Sequence, residues 1–137
     1  MLSISDIRIN NYFLYDNQIV RIREILKDCS GDYLLNLDHH LKTLLKQIIP
    51  IKIDEEWLQR LDFRETYRSQ NIIRYERNEG LLKYDIDLSP DQSMEGLMIF
   101  GNHIGCTEVH RLQNIYQSFF GKELLHSQDF EIQKVIA

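Results

Sequence analysis

The sequence has little cysteine, little proline and no long apolar run, and each scarcity excludes a class of protein. Two cysteines, Cys29 and Cys106, are too few for a disulfide framework, so we expect a reduced, cytoplasmic location. No apolar segment approaches the roughly 20 residues of a membrane-spanning helix, so we expect no membrane partner. Residues 1–6 lack a basic region followed by a long apolar stretch, which predicts that there is no signal peptide.

The chain also lacks a surplus of positive charge. Lys and Arg number 16 against 21 Asp and Glu, which gives a net charge of −5. This balance argues against nucleic acid as a partner, because charge-driven binding to phosphate needs a basic surface. The basic segment without acidic residues runs from 39 to 52 and holds Lys42, Lys46 and Lys52. These three lysines are the candidate binding residues, although such a spacing is also typical of an ordinary solvated face.

The first part of the chain, residues 1–52, has the pattern of short strands joined by tight turns. Apolar or alternating segments that predict strands lie at 12–15, 19–26 and 33–37. The alternation slips at Ile25-Leu26, which predicts a bulge or a strand end there. Strands this short indicate an SH3-like curled antiparallel sheet, which we assign as the first subdomain.

Residues 38–51 fit two structures. Their apolar residues have helical spacing, but the segment could equally turn back and pair with the third strand. We favour a strand followed by a short helical turn, because an isolated amphipathic helix would interrupt the barrel. The helical alternative stays open.

The remainder, residues 53–137, predicts a second α+β subdomain, and both subdomains could form one compact domain. Asp54 has the position of an N-cap for a short helix that contains Trp57. The polar stretch 64–70 is interpreted as the seam between the subdomains. A hairpin of 72–77 and 81–88 follows, and another strand is expected at 97–100.

The expected sides of that hairpin differ in polarity. Leu82, Tyr84, Ile86 and Leu88 alternate with polar residues and predict a buried face. Lys83, Asp85 and Asp87 share the opposite face, which we interpret as solvated. A polar loop with Pro90 then covers 89–96.

A C-terminal amphipathic helix over 108–120 is the clearest element of the sequence. Its apolar residues recur at helical spacing, from Val109 to Phe120. Thr107 is the expected N-cap and Gly121 the expected stop. We expect Leu112, Tyr116 and Phe119 to be buried against the second sheet.

Candidate catalytic and metal-binding residues are weak. His103, Cys106 and His110 have close spacing, but zinc needs a fourth ligand, and His110 would lie on the polar shoulder of the helix. Acidic pairs occur at Glu55-Glu56 and at Asp85 and Asp87, yet the first suits a helix N-terminus. No phosphate loop or nucleophile motif is present. We therefore predict no enzyme activity, no metal and no cofactor.

Three blocks of the chain resemble a group of small proteins that are carried by phages and prophages and have no assigned activity. The string Val109–Tyr116 with Gly121–Leu124 resembles the V-H-Q-L-Q-N-L-Y…T-G-E-E-L ending of that group. Leu14-Tyr15 with Ile19-Val20 resembles its opening, and Ile49–Ile51 with Glu55–Leu58 its centre. Arg111 stands where the group has Gln. The resemblance implies a shared fold and a mobile-element accessory role.

The leading hypothesis is thus a non-enzymatic phage or prophage accessory protein that binds a host or phage protein. One alternative is a nucleic-acid-binding regulator that uses the Lys42–Lys52 segment. Another is a binder of a small nucleotide-like ligand in a pocket between the two sheets.

Overall fold

The computed structural model describes residues 2–88 and 96–127. The expected loop at 89–96 lies outside the described residues except for Gly96, which begins a strand, and the residues beyond 127 also lie outside them. The predicted fold class is confirmed: the chain is α+β, with two antiparallel sheets, the first strongly curled, and a C-terminal helix. In chain order the elements are β1 (Tyr12–Tyr15), β2 (Gln18–Lys27), β3 (Tyr33–Leu37), β4 (Lys42–Leu44), α1 (Glu55–Arg60), β5 (Arg64–Arg68), β6 (Ile72–Arg77), β7 (Leu82–Asp87), β8 (Gly96–Ile99), β9 (Asn102–Ile104) and α2 (Val109–Phe120).

Residue contacts divide the chain into two units. The first contains the residues up to Lys52 together with Glu108–Glu123, and the second contains Ile53–Thr107 and the residues from Leu124. The division after Lys52 coincides with the expected subdomain boundary. The segment Glu108–Glu123, however, belongs with the first sheet, so the second unit is not the continuous segment 53–137. Apolar spacing along α2 did not reveal this partnership.

The first unit is a four-stranded sheet in the order β1-β2-β3-β4. Its turn at Asp16-Asn17 has φ of 51° and 61°, the left-handed pair that a two-residue hairpin requires and that Asp and Asn tolerate. The core of the curled sheet includes the fully buried Phe13, Val20 and Leu35.

The bulge in β2 lies earlier than the sequence predicted. Pairing with β3 shifts between Ile22 and Glu24, not at Ile25-Leu26. Because a bulge reverses which residues face inward, Leu26 is 43% exposed although Ile22 is fully buried.

The ambiguous segment 38–51 is a strand followed by a helical turn, as favoured. β4 pairs with β3, and a 3-10 turn follows at Leu45–Gln47. Ile49 then exchanges two backbone hydrogen bonds of 2.9 Å with Leu14 of β1. Long-range pairing therefore decides a structure that the local sequence left open.

The second unit is a five-stranded antiparallel sheet in the order β5-β6-β7-β8-β9, with α1. The Asp54 carboxylate accepts the Trp57 backbone N–H at 2.8 Å, which confirms the predicted N-cap. The interpretation of 64–70 as a seam is wrong, because Arg64–Arg68 form the edge strand β5, paired with β6. Its side chains are all exposed, so its polarity reflects an edge position and not a linker.

The solvated face predicted for β7 is also wrong. Asp85 and Asp87 are only 7% and 8% exposed. Arg74 is the cross-strand neighbour of Asp85, and its Nε and Nη2 donate to the two carboxylate oxygens at 2.8 and 3.0 Å. A partner on the next strand thus allows an acid to be buried. Leu88, expected inside, is exposed.

Helix α2 begins one residue later than the sequence indicated and ends where predicted. Glu108 occupies the N-cap position, so the assignment of Thr107 is wrong. Gly121 ends the helix in the left-handed conformation, with φ of 68°. Leu112 and Tyr116 are buried, but they belong to the first unit and not, as expected, to the unit of the second sheet, and Phe119 is 50% exposed.

Candidate functional site

The polar residues of the C-terminal motif join α2 to the start of the first sheet. Gln113 is fully buried. Its Oε1 accepts the Tyr12 backbone N–H at 2.9 Å, and its Nε2 donates to the Asn10 carbonyl at 2.9 Å. One amide side chain therefore satisfies two main-chain groups in a place where water is excluded.

Asn114, the next residue, extends the same network. Its Oδ1 accepts from Asn11 Nδ2 at 2.9 Å, and its Nδ2 donates to the Asp6 carbonyl at 3.0 Å. Beyond the helix, Arg8 forms an ion pair of 2.5 Å with Glu123. We call the hydrogen bonds of Gln113 and Asn114, together with the Arg8–Glu123 ion pair, the α2 clasp. The motif that carries the resemblance to phage-borne proteins is therefore explained, at Gln113 and Asn114, by folding of the first unit.

His110 of the same motif is fully buried, not on a polar shoulder as expected. Its ring centroid lies 4.8 Å from that of Phe13. Within the described residues, neither ring nitrogen has a hydrogen-bond partner. Burial lowers the pKa of His110, and Arg111 lowers it further, whereas the charges of Glu108 and Asp6 act in the opposite direction. The ring is thus held neutral.

The candidate zinc residues do not form a metal site in the described part of the chain. Among residues 2–88 and 96–127, no group of three or more His, Cys, Asp or Glu side chains is placed to hold a metal ion. His103 lies exposed on β9, whereas Cys106 is buried and its carbonyl accepts the Tyr84 hydroxyl at 2.7 Å. The absence of a bound metal stays a prediction.

Glu55 is held in a network with two residues of the second sheet. Its Oε1 accepts from the Tyr75 hydroxyl at 2.8 Å and from Arg68 at 2.5 Å. The Tyr75 bond, with a further contribution from Arg68, lowers the pKa of Glu55. Burial, and then the bond to Glu55, raises the pKa of Tyr75. Both pKa values therefore move away from neutrality, whereas a general acid or base needs a pKa close to the pH at which it works.

Two hollows of the first unit share three lining residues, Leu2, Leu45 and Lys46. We call the pair the Leu45 groove. The larger hollow, about 340 Å³, is also lined by Tyr33 and Leu44. The larger hollow therefore combines half-exposed leucines and a tyrosine with two charged residues of opposite sign, Asp32 and Lys46.

The smaller hollow of the Leu45 groove, about 230 Å³, is formed partly by α2. Glu108 and Arg111 line it and are joined by an ion pair of 2.9 Å. Ile49 and Pro50 supply apolar surface, and Ile49 is 59% exposed. This hollow therefore depends on the position of α2 in the first unit.

The three candidate lysines have different positions. Lys46 lines both hollows, whereas Lys42 is exposed on β4 and Lys52 is exposed where the backbone bridges to Glu108. In the described part of the chain, none of the three forms an ion pair. Sequence reasoning thus named one residue of the groove and missed the apolar ones, because half-exposed leucines have the same spacing as core leucines.

A polar hollow of about 550 Å³ lies in the second unit, beside the first half of β5. Its charged lining residues have both signs: Asp62, Arg64, Glu76, Arg77 and Glu79. Arg77 is engaged, since its Nε donates to the Leu61 carbonyl at 3.1 Å. This mixture gives no preference for a ligand of either charge.

Comparison with known proteins adds no further assignment. No protein-family model, no curated protein and no solved structure matches the chain. Among the described residues, no helix has the length and apolar character needed to cross a membrane.

Proposed function

We propose that the chain is a phage or prophage accessory protein that acts by binding a host or phage protein. We further propose that the Leu45 groove receives an extended segment of that partner. The observation that carries the proposal is the apolar lining of the groove, where Leu2, Leu44 and Leu45 are half-exposed and Ile49 is exposed. Apolar side chains beside a few polar groups are the usual lining of a recognition site.

The groove favours a protein segment over nucleic acid. The chain as a whole carries −5, which opposes approach to phosphate. Tyr33 is the aromatic residue of the groove, and Lys27 Nζ lies 5.7 Å from its ring centroid. Lys27 thus lies over one of the two ring faces on which a base could stack, and stacking is the main contact that holds single strands.

The electrostatics of the second unit support a non-enzymatic role. Glu55 and Tyr75 stay in their ordinary charge states at neutral pH, because their pKa values are shifted downward and upward, respectively. A carboxylate that is tied to an arginine and a tyrosine is suited to structure rather than to proton transfer.

The proposal is tested by capture of bacterial host proteins on immobilised full-length chain, quantified by mass spectrometry. Two groove variants, Ile49→Asp and Lys46→Glu, are compared with Leu81→Asp, which changes a similarly exposed aliphatic residue of the second unit. We expect recovery of one partner to fall about tenfold or more with either groove variant and to stay at the wild-type level with Leu81→Asp.

Recovery that survives both groove variants, or that falls equally with Leu81→Asp, would contradict the assignment to the groove. Circular dichroism of each variant checks that the chain is folded, and nuclease treatment of the lysate excludes capture through nucleic acid.

A further inference from the structure

A buried, unpartnered histidine lies where α2 meets the first sheet. His110 contacts Phe13 of β1, and it is three residues before Gln113 of the α2 clasp. The first turn of α2 is also anchored by its backbone, since the Val109 N–H donates to the Ile51 carbonyl at 2.8 Å. Any change in the charge of His110 therefore acts directly on the attachment of the helix.

The surroundings of His110 do not accommodate a proton well. On α2 itself the charged neighbours are Arg111 and, at its N-cap, Glu108, and the N-terminal 3-10 turn contributes Asp6. The element that contacts the ring, β1, presents the apolar side chain of Phe13. Because neither ring nitrogen has an acceptor among the described residues, an imidazolium there would be a buried charge without a hydrogen bond.

We propose that His110 is an acid-sensitive latch, whose protonation releases α2 from the first sheet. The released ring takes its proton in water, where the charge is solvated. Since Glu108 and Arg111 lie on α2 or at its start and line the smaller hollow, release would also alter the Leu45 groove. This last consequence alone rests on the proposed binding function.

Hydrogen exchange of the full chain tests the latch. Amide exchange is measured at pH 7.5 and 5.5 and corrected for the intrinsic pH dependence of exchange. Below the ordinary histidine pKa of 6.5, a single proton raises the opening constant by up to tenfold per pH unit. We expect α2 amides to open about five- to tenfold more at pH 5.5, with little change in the five-stranded sheet.

His110→Phe keeps the ring contact with Phe13 and removes the proton site, so its opening should be independent of pH within about twofold. The matched control, His103→Phe, changes an exposed histidine on β9 and should retain the wild-type pH dependence. If His110→Phe does not fold, proton NMR of the wild-type chain provides the test, because the His110 ring should titrate below the ordinary histidine pKa of 6.5.

Two results would overturn the latch. One is equal pH dependence of α2 exchange in wild type and His110→Phe. The other is titration of the His110 ring at or above the ordinary histidine pKa of 6.5. Neither result affects the proposed function, which is measured by capture at neutral pH.

Discussion

At the scale of single residues, the first unit depends on polar side chains as well as on its apolar core. Gln113 and Asn114 serve backbone and side-chain groups before and within β1. A buried amide with a complete set of partners fixes one position of a helix, whereas apolar surfaces can slide. The α2 clasp therefore explains why adjacent Gln and Asn occur in the middle of this helix.

Gln113→Leu should reduce the free energy of unfolding by about 2 kcal/mol or more, because each buried polar group left without a partner costs about 1–3 kcal/mol. Gln117→Leu on the same helix is the matched control and should change stability by less than about 0.5 kcal/mol. Urea denaturation followed by circular dichroism measures both. Equal stabilities of the two variants would show that the Gln113 bonds contribute nothing.

At the scale of elements, the sequence predicts what is local and misses what depends on a neighbour. The tight turn between the first two strands, the Asp54 cap and the Gly121 stop were all predicted, since each rests on the local preferences of its own residues. The edge strand β5 and the burial of Asp85 were not. Their character is set by pairing with β6, and in the case of Asp85 by Arg74, which is eleven positions away.

The two expected helix caps give a test at this scale. Asp54→Ala should destabilise the chain by about 1 kcal/mol, since its carboxylate accepts the Trp57 N–H. Thr107→Ala should have almost no effect, because Thr107 is exposed and the N-cap position belongs to Glu108. Thermal melts of the two variants distinguish these outcomes. A larger loss with Thr107→Ala than with Asp54→Ala would contradict the helix boundaries.

At the scale of the whole molecule, the fold class was predictable and the candidate site only partly. Short strands with tight turns predicted a curled sheet, and the lysine spacing indicated Lys46. The partnership of α2 with the first sheet was hidden, because it rests on amides and a histidine that apolar periodicity does not register. The part of the Leu45 groove that Glu108 and Arg111 line could not be predicted either, because these residues lie there only when α2 packs on the first sheet.

The sequence left two alternative functions open. The Lys42–Lys52 segment does not supply one set of lysines that line the groove, since only Lys46 lines both hollows. The nucleic-acid-binding regulator stays a prediction. The small-ligand alternative concerned a pocket between the sheets and stays a prediction.

The most direct test of the central claim is site-specific photo-crosslinking with p-benzoylphenylalanine at position 49, on the rim of the Leu45 groove. The same group at position 81, an exposed site of the second unit, serves as the control. We predict a covalent adduct at position 49 with the protein whose capture depends on Lys46, and little or none at position 81. An adduct with that protein from position 81 and not from position 49 would contradict the account.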